Sequence, residues 1–364
     1  MKTTNFYVTL LMVSLLAWSC NSKDDLGQGS LKTSLTANTQ SLTTAMASIS
    51  TSPAYQVLTS SETSGGASKV SASAESTSAT TLDSISLTDI TGIYEYNNTK
   101  KYKKWQPWLL NFFTKTADSA VMVVKLPEEK VKNARTLLTY SPADSLLTNN
   151  YIFSLSKYKY KFGFPVWSYD MASTINIKGV DAGALNIQSS VNSSREYQFT
   201  SGFAFASGYD VKCNYKFGDS LVSTYSISQA SKVLYEEKFT AAKVIGSKRL
   251  TEREYALTIG DIKIVRKPGM NSLDSSKVYV AGVLQTKSKV EIVDQVTDSI
   301  ETSVTNKKRE LKITFDDGTS TTLSQLLGAN TLETIRTLFV SMRQTYFATS
   351  IVDKIAWNVY QNKK

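Results

Sequence analysis

Histidine is absent from this chain, and only two cysteines occur, Cys20 and Cys213. Without imidazole there can be no Ser-His-Asp or Cys-His nucleophilic site, no His-bearing zinc or non-haem iron site of the usual kind, and no ordinary switch near pH 6.5. Glycine and proline are sparse at 17 and 6, which excludes collagen-like and Pro-rich architectures. The apolar run from Phe6 to Trp18 is about a dozen residues, whereas a membrane-spanning helix needs about 20. What is present is 364 residues with 41% hydrophobic content, enough to bury a real core. Lys plus Arg total 41 against 31 Asp plus Glu, a net charge of +10 that suits an anionic leaflet or an anionic polysaccharide.

The N-terminus reads as an export address. Lys2 precedes the apolar run, and the small residues Ala17 and Ser19 lie just before Cys20, so residues 1–19 form a signal peptide cleaved before Cys20. Leu16-Ala17-Trp18-Ser19-Cys20 resembles the lipobox of bacterial lipoproteins, with Ala17 in place of the usual Leu and Trp18 in place of the usual small residue. Ser22-Lys23-Asp24-Asp25 is similar to the surface-export signal of Bacteroidota lipoproteins, carried here by Lys23, Asp24 and Asp25. The resemblance implies that Cys20 carries the acyl chains, palmitate among them, and that the protein is anchored in the outer membrane facing the cell surface. Several acyl chains suffice for stable anchoring. Cleavage would remove Lys2 alone and lower the net charge by one; with Cys20 acylated, Cys213 would have no partner for a disulfide. That address argues against nucleic acid as a partner.

Along the chain, Leu31, Leu35, Leu42, Met46 and Ile49 fall at spacings of 4, 7, 4 and 3, which predicts an N-terminal helix over Leu26–Ile49 closed by Pro53. Thr59 to Thr81 is Ser/Thr-rich and low in complexity, with too little apolar area to offset ordering entropy. From about Ser86 the pattern turns to short β-rich runs, with a strand expected at Ile90–Tyr96 and an apolar, central one at Ser119–Leu126. In Tyr151–Phe164, Tyr158, Tyr160, Phe162 and Phe164 alternate with Lys157, Lys159 and Lys161, while Phe153 and Leu155 sit in the opposite phase. A bulge near Ser156 would return them to the buried side. Further strands are expected through to Leu311–Phe315, among them Tyr255–Arg266 and Lys277–Leu284, each taken as one run. Leu332, Ile335, Leu338, Phe339, Met342 and Tyr346 then keep helical spacing behind a cap at Thr321 or Thr322. Lys354–Tyr360 fits either an extension of that helix or a last strand.

Motifs that spell chemistry fare poorly. Gly218-Asp219-Ser220-Leu221 matches the esterase signature but has no His to serve as base, so a hairpin turn is expected there. Ser154 and Lys157 have Ser-x-x-Lys spacing, but on a regular strand they point to opposite faces unless a bulge intervenes. Glu128-Glu129, Glu236-Glu237 and Asp316-Asp317 are neighbours that diverge on a strand, and Asp316-Asp317-Gly318-Thr319 reads as a turn rather than a calcium loop. The insert from Lys100 to Phe113 sets Lys103, Lys104, Trp105 and Trp108 among further aromatic residues, a mixture suited to a membrane interface or a sugar platform. Packing of Trp108, Phe112 and Phe113 into the core is the plainer reading. Five Asp-Ser-apolar triplets resemble the Bacteroidota O-glycosylation sequon, with Ser84 and Ser299 expected to be the most exposed.

These observations predict an α+β fold: a large antiparallel sheet, able to curve into a half-barrel, with N-terminal and C-terminal helices. The expected division is 1–19 signal peptide, 20–58 lipid anchor and N-terminal helix, 59–85 tether, and 86–364 β-rich domain with the C-terminal helix. The expected role is noncatalytic binding of a glycan or another envelope component, with Trp105, Trp108, Lys103 and Lys104 as contacts. A carrier that shelters an acyl chain between sheet and helices is the alternative, and a His-free hydrolase ranks last. No cofactor and no metal are expected.

Overall fold

The structure, a computed structural model, describes residues 30–60, 83–97, 112–132, 141–163, 166–243, 250–267, 276–296 and 307–362. Helix α1 spans Ser30–Ser50, and a second helix the sequence reading missed, α2, spans Pro53–Ser60. Pro53 therefore both ends one helix and begins the next, since its ring is compatible with a first helical turn. Leu31, Leu35, Leu42, Met46 and Ile49 are all buried, as their spacing predicts. Of the expected 59–85 tether, Thr59 belongs to α2 and Asp83–Ile85 to β1 (Asp83–Ser86), which pairs with the strand β5 (Tyr151–Phe162); residues 61–82 lie outside the described residues.

Four further strands complete the N-terminal half: β2 (Gly92–Tyr96), β3 (Phe113–Ala117), β4 (Met122–Leu126) and β6 (Trp167–Ile177), with the short helix α3 (Glu128–Lys132) after β4. The chain then meanders through β7 (Val180–Val191), β8 (Tyr197–Phe205), β9 (Tyr209–Phe217), β10 (Ser220–Gln229), β11 (Lys232–Lys243), β12 (Leu250–Ile259), β13 (Ile262–Arg266), β14 (Ser276–Val280) and β15 (Val283–Leu284). These strands form one open 15-stranded sheet, antiparallel except where β2 runs parallel to β4. The apolar strand expected to be central is paired on both sides, with β4 lying between β2 and β5, but it sits near one edge of the sheet, third from its β3 end. Two expected strands divide: Gly260-Asp261 turns β12 into β13, and Ala281-Gly282 turns β14 into β15, where left-handed backbone (φ 48° and 84°) matches strand twist.

A second sheet of β16 (Lys289–Val296), β17 (Lys307–Thr314) and β18 (Ser320–Thr322) packs beside β14. Helix α4 (Leu323–Leu327) follows, capped by the Thr322 hydroxyl and Gln325 in a reciprocal box, and then α5 (Ala329–Gln361), a single helix of 33 residues. Lys354–Tyr360 thus extends the helix.

The register explains the layering. One row across the sheet runs Leu155, Ser173, Leu185, Phe203, Val211, Ile227, Tyr235, Ile259, Ile262 and Val280, each opposite the next and every one buried. Alternate residues, such as Asn186, Lys212, Glu236 and Lys263, face water, the pattern of an antiparallel sheet covered on one side. The pairing shifts at Ser156, so Leu155 and Tyr158 are both buried on either side of it; this is the bulge the phase change called for. Residues from Leu42 to Ala356 join α1, α2, α5 and the sheet in one large core, while Leu31 and Leu35 belong to a smaller one with Ile262, Ile264, Val278, Val290, Ile313 and Phe315. Helix α1 contributes to both.

Candidate functional site

The inner face of the sheet is not sealed everywhere. Between β10, β11 and the helices α4 and α5 lies a cleft of about 420 Å³, within the range of small-molecule sites. The row next to the buried one reads Ser201, Cys213, Tyr225, Glu237 and Leu257, so Tyr225 and Glu237 sit side by side on adjacent strands. Tyr235 lies two residues before Glu237, on the same face, at 2% exposure. Facing them, Leu332, Ile335, Arg336, Phe339 and Val340 follow i, i+3, i+4, i+7, i+8 spacing and form one stripe of α5, with Leu323 of α4 closing one side.

Three rings form the floor and wall. Phe339 lies with its centroid 5.1 Å from that of Tyr225 and 6.2 Å from that of Tyr235. The Tyr235 hydroxyl donates to the Glu237 carboxylate. Burial and that carboxylate hold the hydroxyl protonated well above the usual phenol range, against the pull of Arg336. Glu237 and Arg336 are exposed at the mouth while Tyr235 and Ile335 are buried beneath them. The cleft can enclose an apolar or ring-bearing group and meet water through one charge of each sign. Among the described residues no group of His, Cys, Asp and Glu is arranged to hold a metal ion.

A second polar cluster lies under the far end of α5. Asp353 accepts hydrogen bonds from the hydroxyls of Tyr158 at 3.0 Å and Tyr169 at 2.9 Å. Burial raises its carboxyl to about pKa 7 in spite of the two donors, which favour the ionised form. The core beside it is tight: the cavity beneath Ile351 and Val352 amounts to about 10 Å³. A third cluster is structural. Lys130 and Asp144 form a buried pair at 2.7 Å beneath the Tyr96 ring, and Glu128 pairs with Lys132 and Lys178.

The residues singled out by sequence fall elsewhere. Cys20, Lys23, Asp24, Asp25, Lys103, Lys104, Trp105, Trp108 and Ser299 lie outside the described residues. Phe112 and Phe113 are buried, as the plainer reading of the insert has it. Ser84 is exposed on β1, opposite Lys161. Gly218-Asp219 forms the β9–β10 hairpin, with the Gly218 N–H donating to the Ser220 carbonyl. The bulge at Ser156 does put Ser154 and Lys157 on one face, yet Lys157 is paired with Asp170 at 2.5 Å. Glu236 and Glu237 diverge to opposite faces. Asp317 accepts from the Thr319 N–H and pairs with Lys32, so Asp316-Asp317-Gly318-Thr319 is a turn, with the Asp317 carboxyl lowered to about 2 by Thr319 and Lys32.

The cleft itself was missed, because Tyr225, Tyr235 and Phe339 read as ordinary core residues. One signal was legible: Arg336 interrupts an otherwise apolar helical stripe. No protein-family model, no curated protein and no solved structure matches this chain.

Proposed function

We propose that this protein is a lipid-anchored, outer-membrane binding protein that acts without catalysis and holds an amphipathic envelope component in the cleft between β10–β11 and α4–α5. The observation that carries the reading is the cleft: about 420 Å³ lined by the aromatic and aliphatic side chains of Tyr225, Tyr235, Leu332, Ile335 and Phe339. Its position between sheet and helices is that of the carrier form of the role. The signal peptide, lipobox and export cluster supply the address. No helix among the described residues is long and apolar enough to cross a membrane.

The test is native mass spectrometry, with solvent extraction, of the chain from residue 21 onward produced in a bacterial host. A retained mass that extracts as an amphiphile is expected, and Leu332→Trp, which fills the cleft, should abolish it while the far-ultraviolet circular dichroism stays unchanged. A bare polypeptide mass that also takes up no added monoacyl lipid would overturn the reading.

A further inference from the structure

The cleft contains an irregularity on each wall. On α5 the stripe Leu332, Ile335, Phe339, Val340 is apolar except for Arg336 at its centre. On the sheet, the row that carries Tyr225 and Leu257 is interrupted between them by Glu237. Two opposite charges lining one cleft would be expected to pair with each other, and these do not. Glu237 is engaged by the Tyr235 hydroxyl, and Arg336 makes no ion pair among the described residues. Tyr235, Glu237 and Arg336 all line the cleft, with Glu237 held on the sheet wall by the Tyr235 hydroxyl and Arg336 on the helix wall.

Resting on the binding role proposed above, we infer that the cleft selects a zwitterionic amphiphile, with Arg336 receiving the anionic group of its head, Glu237 receiving the cationic group, and the rings of Tyr225, Tyr235 and Phe339 covering the start of its apolar tail. A planar guanidinium suits a phosphate or carboxylate, to which it can donate two parallel bonds. A carboxylate already fixed by a tyrosine keeps acceptor capacity for an ammonium without having to be ordered on binding. A purely anionic head would meet Arg336 but be repelled by Glu237, and a neutral head would leave both charges unserved. Selection by repulsion as well as attraction is what a site with both signs provides.

The experiment is calorimetric titration of the chain from residue 21 onward, stripped of retained lipid, with three probes of equal acyl length below their micellar concentrations: lysophosphatidylethanolamine, lysophosphatidylglycerol and a monoacylglycerol. The zwitterionic probe is expected to bind at least about tenfold more tightly than either of the others. Arg336→Gln should weaken both phospholipids and leave the monoacylglycerol unchanged. Glu237→Gln, which keeps an acceptor for Tyr235, should erase the preference for lysophosphatidylethanolamine over lysophosphatidylglycerol. Equal binding of all three probes, or an unchanged preference in both variants, overturns this inference and leaves the amphiphile-binding role standing. Binding of none of them, in a protein that melts cooperatively, sinks both.

Discussion

At Asp353 a carboxyl and two tyrosine hydroxyls share a site that water reaches poorly, and the balance of desolvation against two donated bonds leaves the acid with a pKa of about 7. A carboxyl raised above its ordinary value binds its proton more tightly in the folded state. Its stabilising contribution is complete below about pH 4 and is lost as pH rises through about 7. Asp353→Asn keeps an oxygen to accept from Tyr158 and Tyr169 and cannot ionise. Thermal melts at pH 5 and pH 8 should show the parent losing on the order of 2–4 kcal/mol between them from this group, and the variant losing none of it. The pair Lys130–Asp144 tests the opposite case. Its two partners are 3% and 6% exposed, so Asp144→Ala removes the paired carboxylate from a buried ammonium. A loss of about 3–5 kcal/mol in denaturant titration is expected. This also accounts for one of the Asp-Ser-apolar triplets, since Asp144 accepts from Lys130 and from the Ser141 N–H.

At the scale of elements, strand-to-strand approach sets the tightest tolerance. Gly183, on β7 with φ of 135°, would place a Cβ 2.1 Å from the Ala204 carbonyl oxygen of the neighbouring strand. That neighbour is backbone, which cannot swing aside, and the pairing beside it already shifts at Ile175/Asn176. Gly183→Ala should therefore cost roughly 2–4 kcal/mol by chemical unfolding, the sum of an unfavourable backbone conformation and a forced separation of β7 from β8. Helix α1 illustrates the reverse dependence. Its Ser- and Thr-rich surface returns hydroxyl bonds to carbonyls four residues back, as Thr36 does to Lys32 and Ser41 to Ala37, and contributes little intrinsic helicity. The buried stripe holds it, which is why its spacing was enough to predict it.

Over the whole molecule, α1 links two cores: Leu31 and Leu35 pack with β13, β14 and the smaller sheet, and Leu42, Met46 and Ile49 pack under the large one. Leu35→Ala removes a fully buried side chain from the smaller core and should cost about 3 kcal/mol. Amide hydrogen exchange should rise first in β16 and β17, with β5–β8 retaining protection; uniform acceleration across both sheets would refute two separable cores. The sequence by itself determined the α+β class, the burial stripe of α1, the bulge at Ser156 and the hairpin at Gly218-Asp219, because periodicity and turn chemistry are local quantities. Only the tertiary structure decided that Tyr255–Arg266 is two strands, that Asp83–Ser86 pairs with β5, and that Arg336 and Glu237 line one cleft. These last two are 99 positions apart in the chain. Their meeting depends on how a long helix crosses a meander of strands, which no window of sequence records.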